Sequence, residues 1–90
     1  MTQQEQPFDQ EELIEIVENQ LADNEPVKVK ETLLRLTMKG MDRDEAIEHI
    51  ACALSLEIID VVEHGQPFNH QRYAEHLALL PEMPWMDDQA

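Results

Sequence analysis

A single cysteine, Cys52, excludes an internal disulfide and any cysteine-based zinc cluster. Glycine occurs only at Gly40 and Gly65, so no glycine-rich phosphate loop can be built. With so few glycines, the tight turns of an all-β fold are also hard to supply. The four aromatic residues offer no stacking platform for single-stranded nucleic acid. No apolar run approaches the roughly 20 residues of a membrane span. The start MTQQEQPFDQEEL has neither a basic n-region nor an apolar h-region. No secretory signal is therefore read there, and the expected location is the cytoplasm.

Bases are few, six against 20 acids, and they are unevenly placed. Residues 1–25 contain no base, and residues 44–90 contain only Arg72. The other five (Lys28, Lys30, Arg35, Lys39 and Arg43) lie in residues 26–43 beside two acids, Glu31 and Asp42. The formal net charge is −14, which disfavours direct binding to nucleic acid or to an anionic membrane. The basic stretch alone is suited to an acidic partner.

The apolar share of 42% is patterned rather than scattered, which argues against disorder. The 90 residues are expected to form one all-α domain of four helices, with an N-terminal arm over 1–8 and an extended C-terminal tail over 81–90. The first helix is predicted over Gln10–Ala22, with Leu13, Ile14, Val17 and Leu21 on its apolar face. Asp9 and Glu12 form a capping box, and Phe8 can staple to Leu13. Asn19 and Gln20 are expected to satisfy carbonyls near this helix end.

The second helix is predicted to start at Glu25 or Pro26, with Val29, Leu33 and Leu36 inward and Leu34 and Met38 flanking them. Gly40 supplies its left-handed C′ residue, and Met41 follows as a cover for Leu36. A long central third helix is predicted from about 43 to 64, opened by a capping box of Asp42 and Glu45 and closed by Gly65. Its apolar positions (Ala46, Ile47, Ile50, Ala51, Leu54, Ile58, Val61, Val62) form a wide face, with Ala53 and Leu56 beside it.

The stretch QPFD at residues 6–9 returns as QPFN at residues 66–69. In each, Phe, a capping residue and an apolar residue five beyond the Phe repeat one helix-start device. Past the cap the likeness stops, so the repeat reads as structural rather than as a duplicated site. The fourth helix, about His70–Leu80, follows with Asn69 as cap and Tyr73 as the staple partner of Phe68. Pro81 ends it, and Pro84 keeps the tail extended. Trp85, Met83 and Met86 in that tail either fold back on the body or anchor a partner.

Catalytic motifs are missing. Three residues before His49, His64, His70 and His76 stand Ala46, Val61, Pro67 and Tyr73, so the Glu-x-x-His motif of di-metal bundles does not occur. The best local donor set is Glu45, Glu48 and His49, with Glu15 and Glu18 on the first helix as further candidates. Cys52 has no cationic neighbour in sequence and reads as a small apolar residue. No catalytic residue and no cofactor are assigned.

The stretch EIVENQLADNEPVKVKETLLRL…GMDRDEAIEHI resembles a family of small bacterial helical domains of unknown function. Glu18, Asn19, Gln20, Pro26, Thr32, Arg35, Leu36, Gly40 and Ala46 sit on the shared pattern. The resemblance covers about Glu15 to Ile50 and implies an all-helical domain. Relatives often carry histidine where this chain has Asp44 and Glu48.

The leading expectation is a non-enzymatic helical protein-interaction domain with an unknown protein partner, and a possible homodimer through residues 46–62. A metal-binding enzyme or sensor using Glu15, Glu18, Glu45, Glu48 and His49 is the alternative. An acidic mimic of nucleic acid stands third.

Overall fold

The computed structural model describes residues 9–87, and side chains as far as Trp85. Four helices account for most of it: α1 (Gln10–Asp23), α2 (Val27–Met38), α3 (Arg43–His64) and α4 (His70–Leu79). A single turn, α5 (Pro84–Asp87), closes the described chain.

Local chemistry explains most of the boundaries. At the start of α1 the Asp9 side chain accepts from the Glu12 N–H at 3.0 Å, and Glu12 accepts from the Asp9 N–H at 3.2 Å. This is the reciprocal capping box; Phe8, its expected staple, lies outside the described residues. The helix ends on Asn24 in the left-handed region at φ 61°, a conformation asparagine tolerates. The second helix begins at Val27, one residue after Pro26 and two after Glu25, because Pro26 is extended and acts as its N-cap.

At the far end of α2, Gly40 has φ 104° and donates to the Thr37 carbonyl, while Met41 donates to Leu36. These two bonds form a Schellman motif, and Met41 packs against the core. Gly65 ends α3 in the same left-handed region, at φ 65°.

Asp42 departs from expectation. Its backbone is extended and its carbonyl accepts the first helical bond from Ala46, but its side chain accepts no cap bond. The predicted Asp42–Glu45 box is therefore absent, and only its backbone half survives. The second QPF stretch does form its device: Asn69 accepts from the Arg72 N–H at 2.9 Å, and Phe68 meets Tyr73 edge-on at 5.6 Å.

The third helix is unbroken and central, touching α1, α2 and α4. Val17, Val29, Leu36, Ile50, Leu54, Tyr73 and Leu77 meet around it, each almost or fully removed from solvent. Its apolar width is thus largely used inside the chain. Val61 and Val62, predicted to belong to the stripe, are instead 38% and 58% exposed. The reason is length: at about 1.5 Å per residue, α3 outruns its shorter neighbours, and no described helix covers Val61 and Val62 in its last turn.

The tail also differs from expectation. Pro84 does not hold it extended but opens α5, where a proline at the first helical position is favourable. Met83 and Trp85 fold back on the core, and the Trp85 ring stacks on His76 with centroids 4.2 Å apart and planes 17° off parallel. Trp85 Nε1 and His76 Nδ1 are both buried without a hydrogen-bond partner among the described residues. Ring contact and burial hold this strap, not hydrogen bonds. Met86 falls in α5, but its side chain lies outside those described.

Two predictions follow from these termini. Asp9→Ala should cost about 1 kcal/mol, whereas Asp42→Ala should cost only a few tenths, because only Asp9 makes a side-chain cap bond. Chemical denaturation of the two variants checks this. The second concerns His76, whose pKa is held below the usual histidine range, first by burial. Arg72 adds to that effect, while Glu57 and Glu75 oppose it. A folded-state value below the unfolded one means that this stabilisation is complete above about pH 6.5. It is lost as pH falls through the folded value. Emission from Trp85, the only tryptophan, should shift to the red on acidification below pH 6.5, and His76→Phe should abolish the shift.

Candidate interaction face

Two arginines tie the helices together around α2. Arg35, on α2 itself, donates from Nη1 to the Leu80 carbonyl at 2.7 Å and from Nη2 to the Leu77 carbonyl at 2.9 Å. Both carbonyls lie at the end of α4, where orphan acceptors and the negative end of the helix dipole favour a cation. Arg43, just past α2, makes a bidentate pair with Glu18 of α1 at 2.9 and 3.0 Å. That pair keeps the Glu18 carboxyl below its ordinary pKa, with the Arg43 hydrogen bonds as the main cause. Val29, Thr32 and Leu36 point inward and are buried.

Among the described residues, nothing covers the opposite side of α2. Val27, Leu34 and Met38 are 55%, 59% and 78% exposed. Their spacings of seven and four residues place them in one row along the helix. A shallow apolar depression lies on each side of this row. One is about 430 Å³, lined by Glu31, Leu34, Arg35, Met38 and Lys39. The other is about 240 Å³, lined by Lys30, Leu33, Leu34, Thr37 and Arg43. The row is thus edged by Lys30 and Arg43 on one side and by Arg35 and Lys39 on the other, with Glu31 as the acid among them.

A second concentration of charge sits between α3 and α4. Glu57 is fully buried, and its oxygens accept from Arg72 Nε at 2.7 Å, Arg72 Nη2 at 3.0 Å and the Asn69 N–H at 3.3 Å. Arg72 also pairs with Asp60, which in turn contacts His64 Nδ1 at 3.0 Å. Arg72, and then His64, hold the Asp60 carboxyl below its usual range, and the Arg72 guanidinium is pushed above its own. A cleft of about 480 Å³ opens over this cluster, lined in part by Asn69, His70 and Arg72. Its one guanidinium is already matched by two carboxylates, so the cleft offers no free positive charge to an anion.

Glu57 was missed from the sequence. Its signal was present, since Glu57 occupies a core-facing place between Leu54 and Ile58, and Arg72 is the only base after Arg43.

The other sequence candidates do not converge. Glu15, Glu45 and Glu48 are exposed, and Glu18 is engaged by Arg43. His49 donates from Nδ1 to the Glu45 carbonyl at 2.9 Å, a contact within one helix. Among the described residues, no three His, Cys, Asp or Glu side chains stand close enough to hold a metal ion. Cys52 is half-buried, and burial, followed by the nearby Glu48 charge, pushes its thiol pKa up. That shift disfavours the nucleophilic thiolate. Gln20 does not serve the end of α1 as expected; it accepts from the Tyr73 hydroxyl at 2.9 Å, and Asn19 is exposed. Trp85 is engaged by His76 and the core, as described above.

No protein-family model, curated protein or solved structure matches the chain. The family resemblance of residues 15–50 therefore rests on those residues alone. Among the described residues, no helix is long and apolar enough to cross a membrane.

The buried pair generates a thermodynamic prediction. Arg72→Met leaves the Glu57 carboxylate in the core with only a backbone donor and should cost about 3 kcal/mol. The double change Glu57→Leu/Arg72→Met should recover most of that loss. Urea denaturation of the two single variants and the double variant measures the coupling.

Proposed function

We propose that this chain is a non-enzymatic helical protein-interaction domain that binds a different protein through the outer face of α2. The observation that carries this reading is the row of Val27, Leu34 and Met38, apolar and more than half exposed, on a helix whose other face is fully used. Lone exposed apolar residues are ordinary, but an aligned group with polar borders marks a protein contact.

The wide apolar face of α3 motivated a homodimer, but α1, α2 and α4 occupy most of that face. The argument for self-association through residues 46–62 loses its basis accordingly. An isologous pairing through α2 is also unfavourable, since Lys30, Arg35 and Lys39 would face their own copies.

Affinity capture from a lysate of the source cells tests this reading, using the wild type, Leu34→Glu/Met38→Glu and Val62→Glu as baits. Circular dichroism and melting should be nearly unchanged in all three, because the altered positions are exposed. A specific protein should be retained by the wild type and by Val62→Glu, and lost from the α2 double variant. Equal retention by all three baits, or no retention above empty resin, would contradict the proposal.

A further inference from the structure

We infer that the occupant of the α2 face is an amphipathic helix of another protein, with an apolar stripe bordered by carboxylates. This rests on the reading of α2 as the docking face and goes on to name what docks there. Three features of the face select this chemistry.

The first is shape. The face is the outside of a helix, and its main chain is consumed by its own helical bonds. It presents side chains only, so an extended peptide finds no edge to pair with. What it does present is a ridge of Val27, Leu34 and Met38 between two shallow depressions. Ridges of one helix fit the grooves of another at axis separations of about 8–10 Å. Side chains from a neighbouring helix can then enter the depressions beside Leu34. The 12 residues of α2 give about 18 Å of length, enough for roughly three turns of a partner helix.

The second is charge. The ridge is bordered by Lys30, Arg35 and Lys39, with Glu31 as the acid among them; Arg43 also lines one depression but is already paired with Glu18. Lys30 and Lys39 make no ion pair among the described residues. Arg35 gives its hydrogen bonds to two carbonyls, which leave its charge uncancelled. In a chain of net charge −14 this is a local positive field, and carboxylates on both flanks of a docked stripe would meet it.

The third is the remaining surface of the molecule. Its acidic excess repels phosphate-rich surfaces, so nucleic acid and anionic lipid are poor occupants despite the local cations. The same excess opposes the approach of a second copy. A partner with a locally acidic helix, and no large negative charge elsewhere, avoids that penalty.

Two synthetic helical peptides of about five turns serve as probes, each with leucines along one face, one flanked by glutamates and the other by lysines. They are titrated into isotope-labelled protein and followed by amide chemical shifts. The Glu-flanked peptide should move resonances within residues 27–43 and bind about tenfold tighter than its Lys-flanked sibling at low salt. That advantage should shrink at 0.5 M salt, where the screening length is only a few ångströms. Leu34→Glu/Met38→Glu should abolish binding, and Lys30→Glu/Lys39→Glu should reverse the preference between the two peptides.

Equal affinities, shifts centred elsewhere, or no binding at millimolar peptide would overturn the inference. So would a doubling of mass by light scattering that Leu34→Glu/Met38→Glu removes, because a second copy would then be the occupant. If lysate capture remains dependent on α2 while the Glu-flanked peptide fails, the inference falls and the docking face stands. If capture fails as well, the docking face falls with it.

Discussion

A carboxylate with no solvent exposure cannot be left alone in a core this small, and Glu57 has none. The demand for a cation at that point organises the second half of the chain. Arg72, in the first turn of α4, is the only base there that can answer it. Once Arg72 reaches Glu57, the start of α4 is fixed against α3, and the Asn69 N–H and the Phe68–Tyr73 contact fall into place beside it. Tyr73 then lies buried with its hydroxyl on Gln20 of α1. The other end of α4 is held by Arg35 from α2. One ion pair and one guanidinium thus tie α4 to two helices.

The six bases divide by type. All three arginines fasten helices together: Arg35 joins α2 to α4, Arg43 joins α3 to α1, and Arg72 joins α4 to α3. None of the three lysines takes part in an ion pair among the described residues. The division suits their chemistry. A guanidinium presents a rigid fork that engages two acceptors at once, whereas an ammonium on a flexible stem stays well hydrated. Strength differs among the fasteners too. The exposed Arg43–Glu18 pair is worth at most about 1 kcal/mol, while the pair at Glu57 is shielded from water and costly to break.

What was legible in the sequence was local. Asp9 with Glu12, Gly40 with Met41, Gly65, and Asn69 with Phe68 and Tyr73 each act within a few residues, so spacing alone identifies them. Periodicity marked α3 as long and central, since its apolar positions are too many for one face. The failures have several causes. Spacing is necessary for a capping box but not sufficient, and Asp42 has the spacing without the side-chain bond. Periodicity gave Val61 and Val62 to the stripe but does not say where neighbouring helices stop. Other failures lie in pairings across loops. The separation of 15 residues between Glu57 and Arg72, and of 53 between Gln20 and Tyr73, leaves no mark in any short window. The candidate face was half visible: Leu34 and Met38 stood out as flanking apolar residues, but only packing shows that no described residue covers them.

The same packing decides between the two places where a partner could gain apolar contact. Trp85 and Met83 are attractive anchors by type, yet both are already used. To serve a partner, Trp85 would have to leave His76 and the core it packs against. A partner on that side would first have to make good this loss before gaining any affinity. Leu34 and Met38 are exposed before binding, on a helix already held by Val29, Leu36 and Arg35. Docking there requires no rearrangement of the core, and the unpaired lysines beside it add attraction at no cost to internal pairing. Arg35 and the buried Val29, Thr32 and Leu36 hold α2 from the inside, and that anchorage makes its outer face a ready surface for another helix.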